Sequence, residues 1–170
     1  MLMNNSSTID TEADTDSNQN STLAEQAQTS QVPTTIPYGF TPFDTKSRFV
    51  QLCGPMYEKV FDDNTVALGL LLEEQHLNQL DLAHGGILMT LADNAMGRTL
   101  SFQSEWQSSY VTLSMNSQFM QSAQLGEFIY AKVSVTRKGR RLVFLESEIK
   151  SANKLLFHAS ATFAVLEKKA

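Results

Sequence analysis

With 170 residues, a net charge of -5 and one cysteine, the chain is long enough for one domain with a self-sufficient core and cannot form an internal disulfide. The charge is uneven: residues 1–36 hold five acids (Asp10, Glu12, Asp14, Asp16, Glu25) and no Lys or Arg, and from Pro37 onward 13 acids balance 13 bases. A formally neutral domain excludes a nucleic-acid-binding surface, no apolar run reaches the roughly 18 residues of a membrane span, and no basic and apolar leader opens the chain, so a reducing, cytoplasmic setting is expected.

Residues 1–36 are rich in Ser, Thr, Asn, Gln and Asp and contain no glycine or aromatic residue. They cannot bury enough apolar surface to offset the entropy of ordering, which predicts a disordered tail before a single domain over residues 37–170. Within Thr45–Cys53 the apolar residues Phe49, Val50, Leu52 and Cys53 recur at helical spacing, and Gly54-Pro55 ends that helix. Cys53 has no base beside it and is expected to be a small buried apolar side chain. Two strands follow, Met56–Phe61 and Thr65–Glu74, around an Asp62-Asp63-Asn64 turn. The second is apolar on both faces, as a central strand would be.

A polar loop from Gln75 to Ala83 leads into a long apolar helix opened by Gly85-Gly86 and running to about Phe102. His76 is expected on the solvated side of that loop. Four strands come next: Tyr110–Phe119, Glu127–Arg137, Arg141–Lys150 and Leu155–Leu166. In the first, Val111, Leu113, Met115 and Phe119 share one face and Tyr110, Thr112, Ser114, Asn116 and Gln118 the other, by strict alternation. Lys138-Gly139 and Ala152-Asn153 mark tight turns between the last three strands. The fold class is α+β: an antiparallel sheet wrapped around one long central helix. Open edges in such a sheet favour pairing with a second copy.

The chemistry concentrates where the helix begins. Gly85 and Gly86 at a helix start leave backbone N–H groups that a ligand can approach, with the positive end of the helix dipole behind them. Such an end can hold an anion or an oxyanion developing on a carbonyl, and close helix–sheet packing explains the glycines equally well. Asp93 stands two turns into a helix otherwise free of charge until Arg98, on the face of Gly86, Thr90 and Gly97. A carboxylate there is costly unless it is paired or used, and it suits a general base on water or a nucleophile. Gly85 and Asp93 lie about 12 Å apart along one helix at ~1.5 Å rise per residue, too far to act on one atom, so a shared site needs a second subunit. His84 is a candidate donor or general acid. His76, His84 and His158 are scattered and make no metal site.

Asn78, then His84-Gly85-Gly86, then Asp93 in Leu91-Ala92-Asp93-Asn94-Ala95-Met96-Gly97, resembles the signature of the PaaI-like hotdog-fold acyl-CoA thioesterases. Tyr110–Phe119 resembles the strand after the family's helix, and Arg137-Lys138-Gly139-Arg140-Arg141 its basic hairpin; the likeness covers about Phe49 to Leu166. The resemblance implies hydrolysis of acyl-CoA to free acid and CoA. The Gly85 N–H and the Asn78 side chain would hold the thioester carbonyl, with Gly86 beside them. Asp93 of the partner subunit would act as base or nucleophile, Thr112 would orient water, and His84 would position the thioester or assist the leaving thiolate. Arg137, Lys138, Arg140 and Arg141 would meet the CoA phosphates. No metal or cofactor is implied, CoA being part of the substrate. The implied assembly is a homodimer with its sites at the seam, and the family usually pairs dimers into tetramers. One departure is the absence of a glycine between Asn78 and His84, where Asp81 adds a charge instead. A non-catalytic acyl-CoA-binding protein on the same scaffold is the alternative; a hydratase on that scaffold would need a different histidine–acid arrangement.

Overall fold

The structure is a computed structural model that describes residues 35–167. The tail expected over residues 1–36 therefore lies, except for its last two residues, outside the described part.

After a two-residue strand β1 (Thr41–Pro42) and a short helix α1 (Arg48–Leu52) come β2 (Met56–Val60) and β3 (Val66–Leu71), then the long helix α2 (Gly85–Gln103). β4 (Ser108–Phe119), β5 (Phe128–Lys138), β6 (Leu142–Ser151) and β7 (Lys154–Glu167) complete one antiparallel sheet in the order β1-β2-β3-β5-β6-β7-β4. This is the hotdog arrangement: α2 packs against β3, β4, β5 and β6 as the sheet curls around it. Leu91, Ala92, Ala95, Met96 and Leu100 of α2 are fully buried. A fully buried Leu or Met stabilises by about 1.5–3 kcal/mol, so the helix is held by packing far more than by its propensity.

β3 reads apolar on both faces because both are covered. α2 lies on one side, and Thr99 of α2 both accepts from Val66 N (3.1 Å) and donates to Val66 O (3.2 Å). On the other side Phe40 packs edge-on against Phe128, ring centroids 5.0 Å apart. Gly69 makes that possible, since a Cβ there would come within 2.2 Å of the Phe128 ring. The helix expected within Thr45–Cys53 is five residues long, and of its apolar side chains only Val50 is buried; Phe49 and Leu52 are exposed.

The alternation expected along β4 needs correction. A bulge between Thr112 and Ser114 inserts Leu113 as an extra residue against β7. An extra residue reverses the facing of everything beyond it. Before the bulge Tyr110 and Thr112 turn toward α2, and Val111 and Leu113 are 48% and 59% exposed; beyond it Met115 packs on the core. Val111 and Met115 thus do not share a face. β4 is also the outer strand of the sheet, so a twelve-residue edge carries exposed apolar side chains.

Candidate active site

The loop before α2 is built to present one backbone N–H. Asn78 accepts two backbone donors on Oδ1, Leu80 N at 2.8 Å and Leu82 N at 3.3 Å. With Oδ1 so engaged, Nδ2 is left as a donor without an acceptor among the described residues. Asp81 takes φ 57°, a left-handed conformation that an aspartate tolerates, and so does the work of the glycine missing from this loop. Ala83 N donates to Ala123 O and His84 N to His76 O, which fixes where the helix starts.

His84 is the N-cap of α2, and its Nδ1 accepts from Gly86 N at 2.9 Å. Of the two glycine amides expected to face a ligand, Gly86's is therefore taken inside the chain. The Gly85 N–H has no acceptor among the described residues. Because Nδ1 is an acceptor, the neutral His84 ring carries its proton on Nε2, a donor on an exposed side chain. Gly85 and Asn78 line one depression of about 440 Å3, beside Phe119 and Met120. A Cβ on Gly85 would stand 3.0 Å from the Phe119 ring, so glycine keeps this wall tight.

Asp93 opens into a different and larger cavity of about 600 Å3. It is half-buried rather than enclosed in the core, and its Oδ1 accepts a 2.6 Å hydrogen bond from Thr112 Oγ1. The turn of β4 before the bulge is what aims Thr112 at it. The separation read from helix geometry is thus present in the fold: one chain carries the free N–H and the carboxylate in separate hollows.

The far wall of the Asp93 cavity escaped the sequence reading. Arg98 pairs with both oxygens of Glu58, Nε–Oε2 at 2.8 Å and Nη2–Oε1 at 3.0 Å. Its guanidinium carbon stands 5.0 Å from the centre of the Phe43 ring and 4.6 Å from that of Trp106. Trp106 and the preceding Glu105 have φ of 63° and 50°, two successive left-handed residues that cost about 1–2 kcal/mol each. The bond from Trp106 N to Ser101 O (2.9 Å) and the stacking on Arg98 hold them there. Glu58 and Arg98 are 40 residues apart in the chain, and no local pattern links them.

His76 is the other correction. It is 2% exposed, not on a solvated loop. Nδ1 accepts from Glu73 N (2.9 Å) and Nε2 donates to Cys53 O (3.1 Å), tying the end of α1 to the loop before α2. Burial lowers its pKa below the ordinary value of 6.5, against smaller opposing effects of the Cys53 bond and Glu73. Arg137, Lys138, Arg140 and Arg141 stand exposed at the β5–β6 hairpin with no ion pair among the described residues. The register Thr112–Phe163–Val143–Lys138 runs straight across β4, β7, β6 and β5. Lys138 therefore lies three strands from Thr112, about 14 Å at ~4.8 Å per strand. No helix among the described residues is long and apolar enough to cross a membrane.

Known proteins resemble this arrangement. A family model described as the thioesterase superfamily matches residues 80–157. A candidate esterase of Pseudomonas aeruginosa is 30% identical over 128 residues, which is 75% of this chain and 96% of that protein. Human acyl-coenzyme A thioesterase 13 is 33% identical over 87 residues, half of this chain and 61% of its own length. Among solved structures, the phenylacetic acid degradation protein PaaI of Thermus thermophilus superposes with a TM-score of 0.64 at 22% identity, covering 71% of this chain and all of that one.

Proposed function

The chain belongs to the thioesterase superfamily, and from that premise we propose that it hydrolyses acyl-CoA thioesters to the free acid and CoA, with Asp93 as the group that activates water. The hydrogen bond from Thr112 to Asp93 carries this reading, because it holds a carboxylate at the floor of an open cavity with one oxygen left over. In the proposed step, water attacks the thioester carbonyl carbon and gives its proton to Asp93. The negative charge that develops on the carbonyl oxygen is met by the Gly85 N–H and Asn78 Nδ2, donors whose positions are set in advance by the loop before α2. Collapse of the tetrahedral intermediate breaks the C–S bond. The CoA thiolate then takes up the proton, for which Asp93 or the Nε2–H of His84 is the source. The same geometry suits attack by Asp93 itself, followed by hydrolysis of the resulting anhydride. Neither route calls for a metal or a further cofactor.

A second copy of the chain completes the site in this proposal. The long β4 edge with exposed Val111 and Leu113 is the surface offered for it. Pairing there would bring one copy's Asp93 to the other's Gly85 and Asn78. The four basic residues of the β5–β6 hairpin would then meet the phosphates of CoA, an anion that Arg and Lys bind through charge-assisted bonds.

The test is thiol release from a panel of acyl-CoAs by the wild type and by Asp93→Asn. The expected outcome is turnover by the wild type and a loss of about 10²–10⁴ in kcat in the variant, the usual worth of a positioned base. Stabilisation of the protein by acyl-CoA without any turnover would instead identify a binding protein on this scaffold.

A further inference from the structure

The thioesterase reading leaves open which part of the substrate enters the Asp93 cavity and what limits it. We propose that this cavity receives the acyl group, that it accepts uncharged acyl groups, and that Trp106, held by Arg98, is the residue that sets their length. The inference rests on the thioesterase reading for its substrate and on the cavity's own charge and walls for everything else.

Charge decides which end of an acyl-CoA can enter. Four charged groups besides Asp93 line or support the cavity. Arg98 is neutralised by its two bonds to Glu58, and Asp44 and Lys46 offset each other on the exposed rim. What remains is the Asp93 carboxylate, which repels phosphate and repels an acyl group ending in a carboxylate. The densest group of cations without an ion pair among the described residues, Arg137, Lys138, Arg140 and Arg141, lies instead on the β5–β6 hairpin, about 14 Å across the sheet at ~4.8 Å per strand. A thioester placed at Asp93 with its phosphates toward that cluster sends its uncharged end into the cavity.

Shape decides the limit. Phe43, Arg98 and Trp106 line the cavity together, with Arg98 five residues beyond Asp93 along α2, on the side away from Gly86. The Arg98 guanidinium lies over both rings, and its two bonds to Glu58 fix where it stands. Trp106 is held in a left-handed conformation that a bulky residue rarely adopts, and such residues gather where a binding surface requires them. It is 47% exposed, so its position is not explained by burial in the core. An acyl chain growing away from Asp93 along α2 meets this ring.

Trp106 is the only tryptophan of the chain, and its fluorescence reports the cavity directly. The experiment titrates the full-length Asp93→Asn protein with straight-chain saturated acyl-CoAs of increasing length and with CoA alone. Acyl-CoAs are expected to change the Trp106 emission and CoA alone to leave it unchanged. In protein with Asp93 intact, Trp106→Ala is expected to raise the ratio of kcat/KM for long over short acyl-CoAs by about tenfold or more, the discrimination one or two methylenes give in an apolar pocket. Trp106→Phe should keep the ratio near that of wild type, and Arg98→Lys, which loses the flat fork, should move it in the same direction as Trp106→Ala. An emission change produced equally by CoA alone, no change with any acyl-CoA, or a ratio unaltered in Trp106→Ala overturns the proposal. Emission changes with acyl-CoAs but no turnover of any thioester by the wild type would remove the hydrolase reading and leave the cavity assignment standing.

Discussion

His76 shows how a single residue can escape sequence reasoning and still govern behaviour. Its loop is polar, yet its ring is buried because both nitrogens find backbone partners, Glu73 N and Cys53 O, supplied by the fold. Protonation would put a hydrogen on Nδ1 and oppose it to the Glu73 N–H. The folded chain therefore holds His76 neutral, with its pKa below 6.5 chiefly through burial. The sign of the consequence follows from linkage. Below pH 6.5 the unfolded chain binds a proton that the folded chain still refuses, so stability is full above that value and declines as pH falls toward the folded pKa. Melting temperatures measured from pH 7.5 to 5 should fall more steeply for the wild type than for His76→Gln, which cannot titrate. Parallel curves would mean that His76 does not account for the acid sensitivity. Because His84 N bonds to His76 O, activity should decline over the same interval.

At the scale of elements, α2 and strands β2 to β7 lie close to where periodicity puts them, because each has its own pattern: helical spacing in α2, alternation in β5 and β7, a continuous apolar run in β3. Backbone events carry no such pattern. The bulge at Leu113 is invisible in Tyr110–Phe119, a segment that alternates through Met115, and yet it decides that Val111 faces out while Met115 packs on the core. The site divides along the same line. Asn78, Gly85, Asp93 and Thr112 can be singled out by their spacing along the chain, whereas Arg98, Glu58 and Trp106 meet only in three dimensions. Gly69 belongs with the second group, since inside a strand it reads as a weakness. Its value lies in the Phe128 ring it lets down onto β3 under Phe40. Gly69→Ala should force that ring away and destabilise by about 1–3 kcal/mol, as overpacking does. Chemical denaturation read by CD checks it, and an unchanged midpoint would show that Phe40 and Phe128 move aside freely.

For the whole molecule, the separate hollows of Asn78–Gly85 and Asp93–Thr112 turn oligomeric state into a question about catalysis. Suppose that each working site takes Asp93 from one copy and Asn78 from the other, across a twofold interface. Asp93→Asn alone and Asn78→Ala alone then each damage both sites of their own dimers. A dimer with one copy of each variant is different. At one site the intact Asp93 of the Asn78→Ala copy faces the intact Asn78 of the Asp93→Asn copy, and at the other site both are lost. Half of randomly paired dimers are mixed and each has one good site, so unfolding and refolding the two variants together should restore about a quarter of wild-type activity. If instead one copy supplied the whole site, mixing would give only the average of the two damaged proteins. The outcome depends on subunits exchanging, so the refolded mixture is compared with the same two variants mixed without unfolding. Recovery that appears only after co-refolding ties the restored activity to the seam.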